Sequence, residues 1–280
     1  MKLASFDIFD TTLLRRCGKP EAVFHILAER LFPNDKDLRE AFVVWRKSTK
    51  GNTLKDVYDK IDSAFLTFAR KNKEEMMKAE EETEKDVLIA NPSVCKLIDQ
   101  RRKEGYNIAF ISDMYLNSQF LRKVLQRNGC CRQEDAIYVS CEHNARKDTG
   151  LLYKVVRNEL HPTEWIHYGD NIRSDIKMAK SKGIRAIHIN TCHNNAERAC
   201  SQVSTSMAEL ARQYRLRHKD NEFAAFAADF VVSAYLPYVI HVLREARGMG
   251  IRKLYFLSRD SYILMKAAQA LTEEAEGLEL

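Results

Sequence analysis

Acidic side chains that directly follow short apolar runs are the residues of this sequence best suited to chemistry. Asp7 follows the run "KLASF", while Asp170 and Asp175 follow "WIH" in the stretch "YGDNIRSD". Carboxylate oxygens are the ligands that Mg²⁺ prefers in proteins, and a carboxylate can also act as a nucleophile toward phosphorus. We therefore predict that Asp170 and Asp175 hold a divalent cation and that Asp7 acts as a carboxylate nucleophile.

A hydroxyl group and an ammonium group occur in comparable places. Ser112 ends the apolar run "NIAFIS", and Lys147 lies in "CEHNARKDTG", which follows the run "IYVS". A hydroxyl and a lysine can together hold a phosphoryl group by hydrogen bonding and by charge. We therefore predict that Ser112 and Lys147 bind the phosphate of a substrate.

The elements that carry these residues alternate between strands and helices. From residue 92 to residue 190, apolar runs of strand length such as "NIAFIS" and "RAIHI" alternate with segments of helical period such as "GLLYKVVRNEL". This alternation predicts parallel βαβ units and an α/β class. Because ligands bind beyond the carboxyl ends of strands in such sheets, we expect the candidate side chains to meet at one edge.

Three further patterns divide the chain. Residues 18–91 carry apolar residues at helical spacing throughout, which predicts an inserted block of helices. The α/β core then consists of residues 1–17 and 92–193. Residues 194–280 form an extension of two long helices and one βα unit, "IRKLYFLSRDSYILMKAAQAL". An isolated βα unit leaves its strand without a neighbour, so the extension can also be read as the start of a second domain.

Composition limits the partners and the compartment. A net charge of +6 over 280 residues, spread along the chain, suits a small anionic substrate, and we expect no nucleic-acid partner.

The stretch "FAAFAADFVVSAYLPYVIHVL" has the length of a membrane span, but Asp229, Pro237 and His241 favour a buried helix. Seven cysteines without a Cys-x-x-Cys pair, and no signal-peptide pattern, favour the reducing cytoplasm. The oligomeric state is left open.

Four segments, in order along the chain, resemble the motifs of the haloacid dehalogenase (HAD) superfamily. They are "FDIFDTT", "FISDMYL", "RKDTGLLY" and "YGDNIRSD". More closely, "SFDIFDTTLLR", "ISDMYL" and "HYGDNIRSDIKMAKSKGI" resemble HAD hydrolases often associated with bacterial surface-polysaccharide loci. The resemblance implies a Rossmann-like parallel sheet with a C1-type helical cap. It also implies Mg²⁺-assisted hydrolysis of a small phosphomonoester, with a sugar phosphate among the candidates.

The resemblance also implies a role for each candidate residue. Asp7 matches the nucleophile, and its carboxylate would also touch Mg²⁺. Ser112 and Lys147 match the phosphate binders, and Lys147 would in addition neutralise the nucleophile. Asp170 matches the main acidic metal ligand and Asp175 its supporting acid.

The position two residues after Asp7 departs from the family pattern. HAD phosphatases usually carry a second aspartate there, which protonates the leaving group and then activates water; here the residue is Phe9. The backbone carbonyl of Phe9 is still a candidate metal ligand, and Asp10 is a candidate acid if the loop turns it inward. Thr11 falls where the family keeps a threonine, which implies a contact with substrate.

Phe9 leaves two other functions open. An aromatic residue at this position resembles the dehalogenase branch, which displaces a group at carbon without a metal. Loss of general acid–base assistance typically costs about 10²–10⁴ in rate, so a regulatory or scaffold module with low turnover in glycan assembly is the other alternative.

Overall fold

The chain divides into two compact units, residues 1–193 and residues 194–280. The computed structural model describes residues 1–17, 19–190, 194, 197, 205–218 and 221–273.

Among the described residues of the first unit, seven strands form two sheets. They are β1 (Lys2–Phe6), β2 (Leu13–Arg15), β3 (Leu88–Ala90), β4 (Asn107–Ser112), β5 (Ala136–Val139), β6 (Glu164–Gly169) and β7 (Arg185–His188). Five of them make one sheet in the order β5-β4-β1-β6-β7, and every neighbouring pair is parallel. The predicted α/β class with a parallel sheet is confirmed. The strand order reverses at β1, which is where open sheets of this kind form their binding crevice.

The strand register places the carboxyl ends of β4, β1 and β6 close to one another at one edge of the sheet. Phe6, the last residue of β1, lies opposite Phe110 of β4 and Tyr168 of β6. The rings of Phe6 and Tyr168 stack at 4.7 Å between centroids. As a result, the residues that follow β1, β4 and β6 emerge at the same edge of the sheet.

A helical insertion separates β2 from β3. Its helices are α1 (Ala22–Leu31), α2 (Lys36–Ser48), α3 (Leu54–Tyr58), α4 (Ser63–Ala69) and α5 (Lys73–Val87). The chain enters and leaves the insertion through an antiparallel ribbon in which β2 pairs with β3. The strand β3 lies within residues 18–91, where only helices were expected. A three-residue strand is too short to show an alternating pattern, so the sequence does not reveal it.

Helices cover both faces of the parallel sheet. They are α6 (Pro92–Lys103), α7 (Ser118–Arg127), α8 (Ser140–His143), α9 (Leu151–Leu160), α10 (Ile172–Met178) and α11 (Ala179–Ser181). Successive side chains of a strand point to opposite faces, so Phe6 joins one buried apolar cluster and Leu3 another. The segment predicted as a single helix after β6 is a π-helix, α10, followed by the short α11.

The second unit is helical over its described residues. Its helices are α12 (Thr205–Arg217), α13 (Glu222–Phe226), α14 (Ala227–Tyr235), α15 (Leu236–Gly248) and α16 (Tyr262–Glu273). The first part of the predicted helix from residue 195, apart from Glu197, lies outside the described residues. The strand expected at residues 251–257 is absent from this described segment. A strand is stable only beside another strand, and the described part of this unit offers none.

The apolar stretch of residues 223–243 is helical, as expected, but it is not buried throughout. Phe223 is 86% exposed and Phe230 is 60% exposed. The prediction of a fully buried helix is therefore wrong for this face. Within the described parts of the chain, no helix combines the length and the apolar character that crossing a bilayer requires.

Candidate active site

The backbone holds Asp7 at the end of the central strand. Its N–H donates to the carbonyl oxygen of Tyr168 at 2.8 Å, and the Thr12 hydroxyl donates to the carbonyl oxygen of Asp7 at 2.6 Å. These bonds tie both sides of the residue to β6 and to the following turn. The Asp7 side chain is nearly buried, with only its tip reaching a cleft.

Three carboxylates meet at this edge of the sheet. Asp7, Asp170 and Asp175 each place one carboxylate oxygen within 4.8 Å of the others. Asp175 is buried and Asp170 is half-buried. All three line a cleft of about 450 Å³, which Phe9, Asp10 and Ser112 also line. Hard oxygen ligands at this spacing fit a divalent cation such as Mg²⁺.

Lys147 connects two of these acids. Its Nζ donates to Asp7 Oδ1, and it lies 2.7 Å from Asp175 Oδ1. The Lys147 backbone N–H donates to both carboxylate oxygens of Asp113, at 2.8 and 3.1 Å. The Asp113 side chain therefore positions the loop that delivers Lys147.

Burial and charge together set the protonation of this group. Burial raises the pKa of Asp7, although the Lys147 ammonium opposes the rise. Burial alone would lower the pKa of Lys147, but Asp7 and Asp175 outweigh it and the pKa lies well above its usual range. Lys147 and His167 hold the pKa of Asp175 well below its usual range despite its burial.

When ionised, the three acids and Lys147 carry a formal charge of −2 in a largely buried space. A divalent cation would compensate this charge and favour the ionised form of Asp7. The charge and the ligand type of this cluster are therefore both compatible with a divalent cation.

Asp175 owes its position to three neighbours besides Lys147. The Asn171 backbone N–H donates to Asp175 Oδ2 at 3.1 Å, and His167 Nε2 lies 3.3 Å from Asp175 Oδ1. A Cβ atom on Gly169 would lie 2.4 Å from both Cβ and Cγ of Asp175. The Asn171 side chain accepts hydrogen bonds from the N–H groups of Arg173 and Ser174 and so caps α10.

His167 belongs to a chain of buried hydrogen bonds behind the site. Trp165 Nε1 donates to Ser5 Oγ at 2.7 Å, and Ser5 Oγ lies 2.8 Å from His167 Nδ1. Burial lowers the pKa of His167 and so favours the neutral ring. Since ionised Asp175 accepts hydrogen bonds only, the ring proton belongs on Nε2, and the Ser5 hydroxyl donates to Nδ1.

Neither His167 nor Ser5 was among the residues predicted from the sequence. The available signal was a histidine at an inward position of the otherwise apolar run "WIHYG". A buried polar side chain requires a partner, but the sequence does not show which residue that partner is.

The turn after Asp7 brings Phe9 and Asp10 to the cleft. Asp10 has φ +57°, a left-handed conformation that aspartate tolerates better than most residues, and its N–H donates to the Leu13 carbonyl oxygen at 2.8 Å. Asp10 is among the residues that line the cleft. Phe9 packs against apolar clusters of both the sheet and the insertion, and the Arg15 guanidinium lies 4.5 Å from its ring centroid.

Ser112 and Thr11 differ in their access to the cleft. Ser112 ends β4 and lines the cleft, where the sequence places it. Thr11 is fully buried and is not among the lining residues; its hydroxyl donates to Asp170 Oδ1 at 3.3 Å. This geometry supports a role behind Asp170 rather than the predicted contact with substrate.

No protein-family model and no curated protein matches the sequence. Several solved structures are similar to it. A dehalogenase structure is 17% identical, with a TM-score of 0.45 over 69% of this chain and 87% of its own. A HAD-hydrolase from Bacillus subtilis bound to magnesium is 17% identical, with a TM-score of 0.44 over 68% of this chain and 89% of its own.

A third similar structure is a mutant HAD family enzyme from Bacteroides thetaiotaomicron in complex with magnesium and inorganic phosphate. It is 15% identical, with a TM-score of 0.45 over 67% of this chain and 93% of its own. At this level of similarity, the chemistry of the cleft has to be argued from its own residues.

Proposed function

We propose that this protein is a HAD-type hydrolase that removes phosphate from a small phosphomonoester in an Mg²⁺-dependent reaction. The observation that carries this proposal is the meeting of Asp7, Asp170 and Asp175 within 4.8 Å, with Lys147 bonded to two of them. The likeness of the motifs to HAD hydrolases of polysaccharide loci supports a sugar phosphate as the substrate. Asp170, Asp175, one Asp7 oxygen and the Phe9 carbonyl would hold the metal.

The bound metal would supply positive charge that offsets the repulsion between the carboxylates and the phosphate. An Asp7 oxygen attacks phosphorus, the ester P–O bond breaks, and an aspartyl-phosphate forms. Ser112 donates a hydrogen bond to a phosphoryl oxygen, and Lys147 neutralises its charge. Water then attacks phosphorus, which releases inorganic phosphate and restores the Asp7 carboxylate.

The leaving oxygen requires a proton unless it is a stable anion. Phe9 has no proton to give, whereas Asp10 lines the same cleft three residues after Asp7. We assign Asp10 the role of general acid for the leaving group and of base for the attacking water. Variants of Phe9 and Asp10 test this role.

Phe9 is also the reason to consider a second enzymatic function, displacement at carbon. Displacement at carbon through Asp7 needs neither a leaving-group acid nor a metal, so Phe9 is compatible with it. Displacement at carbon, however, gives no role to Asp170 and Asp175, which lie beside Asp7. Their position beside Asp7 also opposes a purely regulatory or scaffold role in glycan assembly, for which no ionisable cleft is needed.

The decisive experiment measures hydrolysis of p-nitrophenyl phosphate with Mg²⁺ and with a chelator. We expect turnover by the wild type with Mg²⁺ only, and none by Asp7→Asn, because the amide keeps the size but lacks the nucleophilic oxygen. Asp99→Asn, which changes an exposed acid of α6, is the matched control and should keep full activity.

Three outcomes would contradict the proposal. If Asp7→Asn hydrolysed p-nitrophenyl phosphate at the wild-type rate, Asp7 would not be the nucleophile. Unchanged Mg²⁺ affinity in Asp170→Asn would remove the metal assignment and favour displacement at carbon, which a halogenated acid assayed without metal would then reveal. Folded, Mg²⁺-binding protein that hydrolyses no ester would favour the scaffold role.

A further inference from the structure

Two cysteine sulfurs lie in contact away from the active site. Cys95 belongs to α6, and Cys130 lies in the turn that follows α7; their Sγ atoms are 2.6 Å apart. A disulfide has an S–S length of about 2.03–2.05 Å. The two sulfurs therefore need to approach by only about half an ångström to form a bond.

The two thiols differ in access and in acidity. Cys130 is buried at 3% exposure within the apolar cluster on one face of the sheet, whereas Cys95 is half-buried. The hydrogen bond with Cys130 lowers the pKa of Cys95, and the same contact raises the pKa of Cys130. Since the thiolate is the reactive form, Cys95 is the thiol that meets an oxidant first.

The neighbouring Cys131 has different contacts. Its Sγ donates to the carbonyl oxygen of Arg132 at 3.2 Å and lies 3.8 Å from Arg122 Nη1. It is buried in the same apolar cluster as Cys130, but its sulfur contacts Arg132 and Arg122, whereas the Cys95 sulfur contacts Cys130. The choice of partner for Cys95 is thus set by the fold, although Cys130 and Cys131 are adjacent in the chain.

We propose that Cys95 and Cys130 form a redox-active dithiol that a low-molecular-weight disulfide, such as oxidised glutathione, converts to an intramolecular disulfide. The Cys95 thiolate attacks one sulfur of the oxidant and releases one thiolate. The Cys130 thiol, after losing its proton, then attacks the Cys95 sulfur of this mixed disulfide and releases the second thiolate. The protein loses two protons and two electrons, and the oxidant is reduced to two thiols. This proposal does not depend on the function proposed for the cleft.

The bond would enclose a functional segment of the first unit. The residues between Cys95 and Cys130, which are 35 positions apart, include all of β4 together with Ser112 and Asp113. Closing this loop restricts the unfolded chain more than the folded one. We therefore expect the oxidised protein to be more resistant to unfolding, with the strand that carries Ser112 fixed between the two ends of the bridge.

The test uses the whole folded protein, incubated with oxidised glutathione, alkylated to block free thiols and digested with trypsin without reduction. We expect a cross-link between the peptide of residues 86–96 and the peptide of residues 128–132, together with a rise in melting temperature that dithiothreitol reverses. The second peptide contains both Cys130 and Cys131, so variants must identify the partner. Cys130→Ser should leave Cys95 as a mixed disulfide with glutathione, whereas Cys131→Ser should form the bridge as the wild type does.

A control removes the two cysteines that lie outside the described residues. The double variant Cys192→Ser/Cys200→Ser should form the same bridge at the same rate. Three results would overturn the proposal: no cross-link in folded wild type, a cross-link that persists in Cys130→Ser, or a cross-link that forms only after unfolding in urea. The last result would show that the folded protein keeps the two sulfurs from reacting.

Discussion

At the scale of single residues, His167 explains how the buried carboxylate of Asp175 is oriented toward the cleft. Ser5 Oγ accepts from Trp165 and donates to His167, and His167 Nε2 then faces Asp175 Oδ1 at 3.3 Å. Partners behind a metal ligand orient it, and their loss typically costs about 10–100-fold in metal affinity. His167 is thus a positioning residue for Asp175.

Two substitutions test the roles of Nδ1 and Nε2 of the His167 ring separately. In His167→Gln the amide nitrogen can take the place of Nε2, whereas in His167→Asn it can reach only the position of Nδ1. We expect calorimetry to show near wild-type Mg²⁺ affinity for His167→Gln and about 10–100-fold weaker affinity for His167→Asn. Thermal unfolding without metal is the control. Equal Mg²⁺ affinities in the two variants would mean that His167 has only a packing role.

Phe9 lies two residues after Asp7, and its surroundings are those of a packing residue. Its ring contacts apolar clusters of the sheet and of the insertion and lies under the Arg15 guanidinium. Arg15 in turn forms a buried ion pair with Glu84 of α5. Replacing the ring by a carboxylate therefore changes both the chemistry and the packing of this corner.

Because Asp10 is assigned as the acid, we expect Asp10→Asn to slow hydrolysis of a sugar phosphate by about 10²–10⁴, while the rate on p-nitrophenyl phosphate changes little because its leaving group needs no acid. Phe9→Asp should then raise the rate on the sugar phosphate only slightly, and it should be less stable in urea, since an aromatic ring is lost from two clusters. A gain of about 10²–10⁴ in Phe9→Asp, with Asp10→Asn unchanged, would show instead that the wild type lacks an acid. Uniform effects on both substrates would contradict either assignment.

At the scale of elements, the junction between β6 and α10 sets the distance between Asp170 and Asp175. β6 ends at Gly169, and α10 is a π-helix that begins after the Asn171 cap. π-helical turns occur often at functional sites, and here the wider turn carries Asp175. The absence of a side chain on Gly169 is what lets Asp175 fold back over the strand end.

Gly169→Ala should displace Asp175, because the new Cβ would lie 2.4 Å from Asp175 Cβ. We expect a stability loss of about 1–3 kcal/mol from overpacking and a clear loss of Mg²⁺ affinity. Gly248→Ala, whose Cβ would meet nothing within 4 Å, is the matched control and should be neutral or slightly stabilising. Retained Mg²⁺ affinity in Gly169→Ala would show that Asp175 does not depend on this close approach.

At the scale of the first unit, a buried acid ties the helical insertion to the sheet. Glu80 of α5 is fully buried and accepts two hydrogen bonds from Arg46 of α2, at 2.6 and 2.8 Å. It also accepts from the hydroxyls of Tyr58, at 2.7 Å, and Tyr115, at 2.9 Å. Tyr115 lies in the loop that follows Ser112, so this network links the insertion to the loop after β4 that borders the cleft.

The network predicts unequal costs for its members. Glu80→Ala should destabilise the protein by about 3–5 kcal/mol, since it leaves the Arg46 charge buried and unpaired. Tyr115→Phe should cost only about 0.5–1.5 kcal/mol, because Glu80 keeps its other donors. Urea unfolding measures both values. A cost for Tyr115→Phe equal to that of Glu80→Ala would mean that the contact with the loop, not the charge pair, holds the insertion in place.

Much of the fold could be predicted from the sequence because it depends on local pattern. The alternation of short apolar runs with helical segments is enough to predict the parallel sheet, since strands joined by helices pair in parallel. The predicted grouping of Asp7, Asp170 and Asp175 follows from the same rule, because parallel strands end at one edge. The β2–β3 ribbon and the missing strand at residues 251–257 escaped the prediction, because strands depend on partners distant in the chain.

The tertiary structure alone decided how side chains are aimed, both at that edge and elsewhere in the first unit. The conformation of Asp10 depends on one left-handed turn of the backbone. The hydrogen-bond chain through Ser5 and His167 joins residues that are far apart in sequence, and so does the pairing of Cys95 with Cys130. Such contacts follow from the burial of polar groups, which must find partners wherever the packed chain places them. The sequence by itself determined which chemical groups reach the cleft, and the packing of the first unit determined which of them touch.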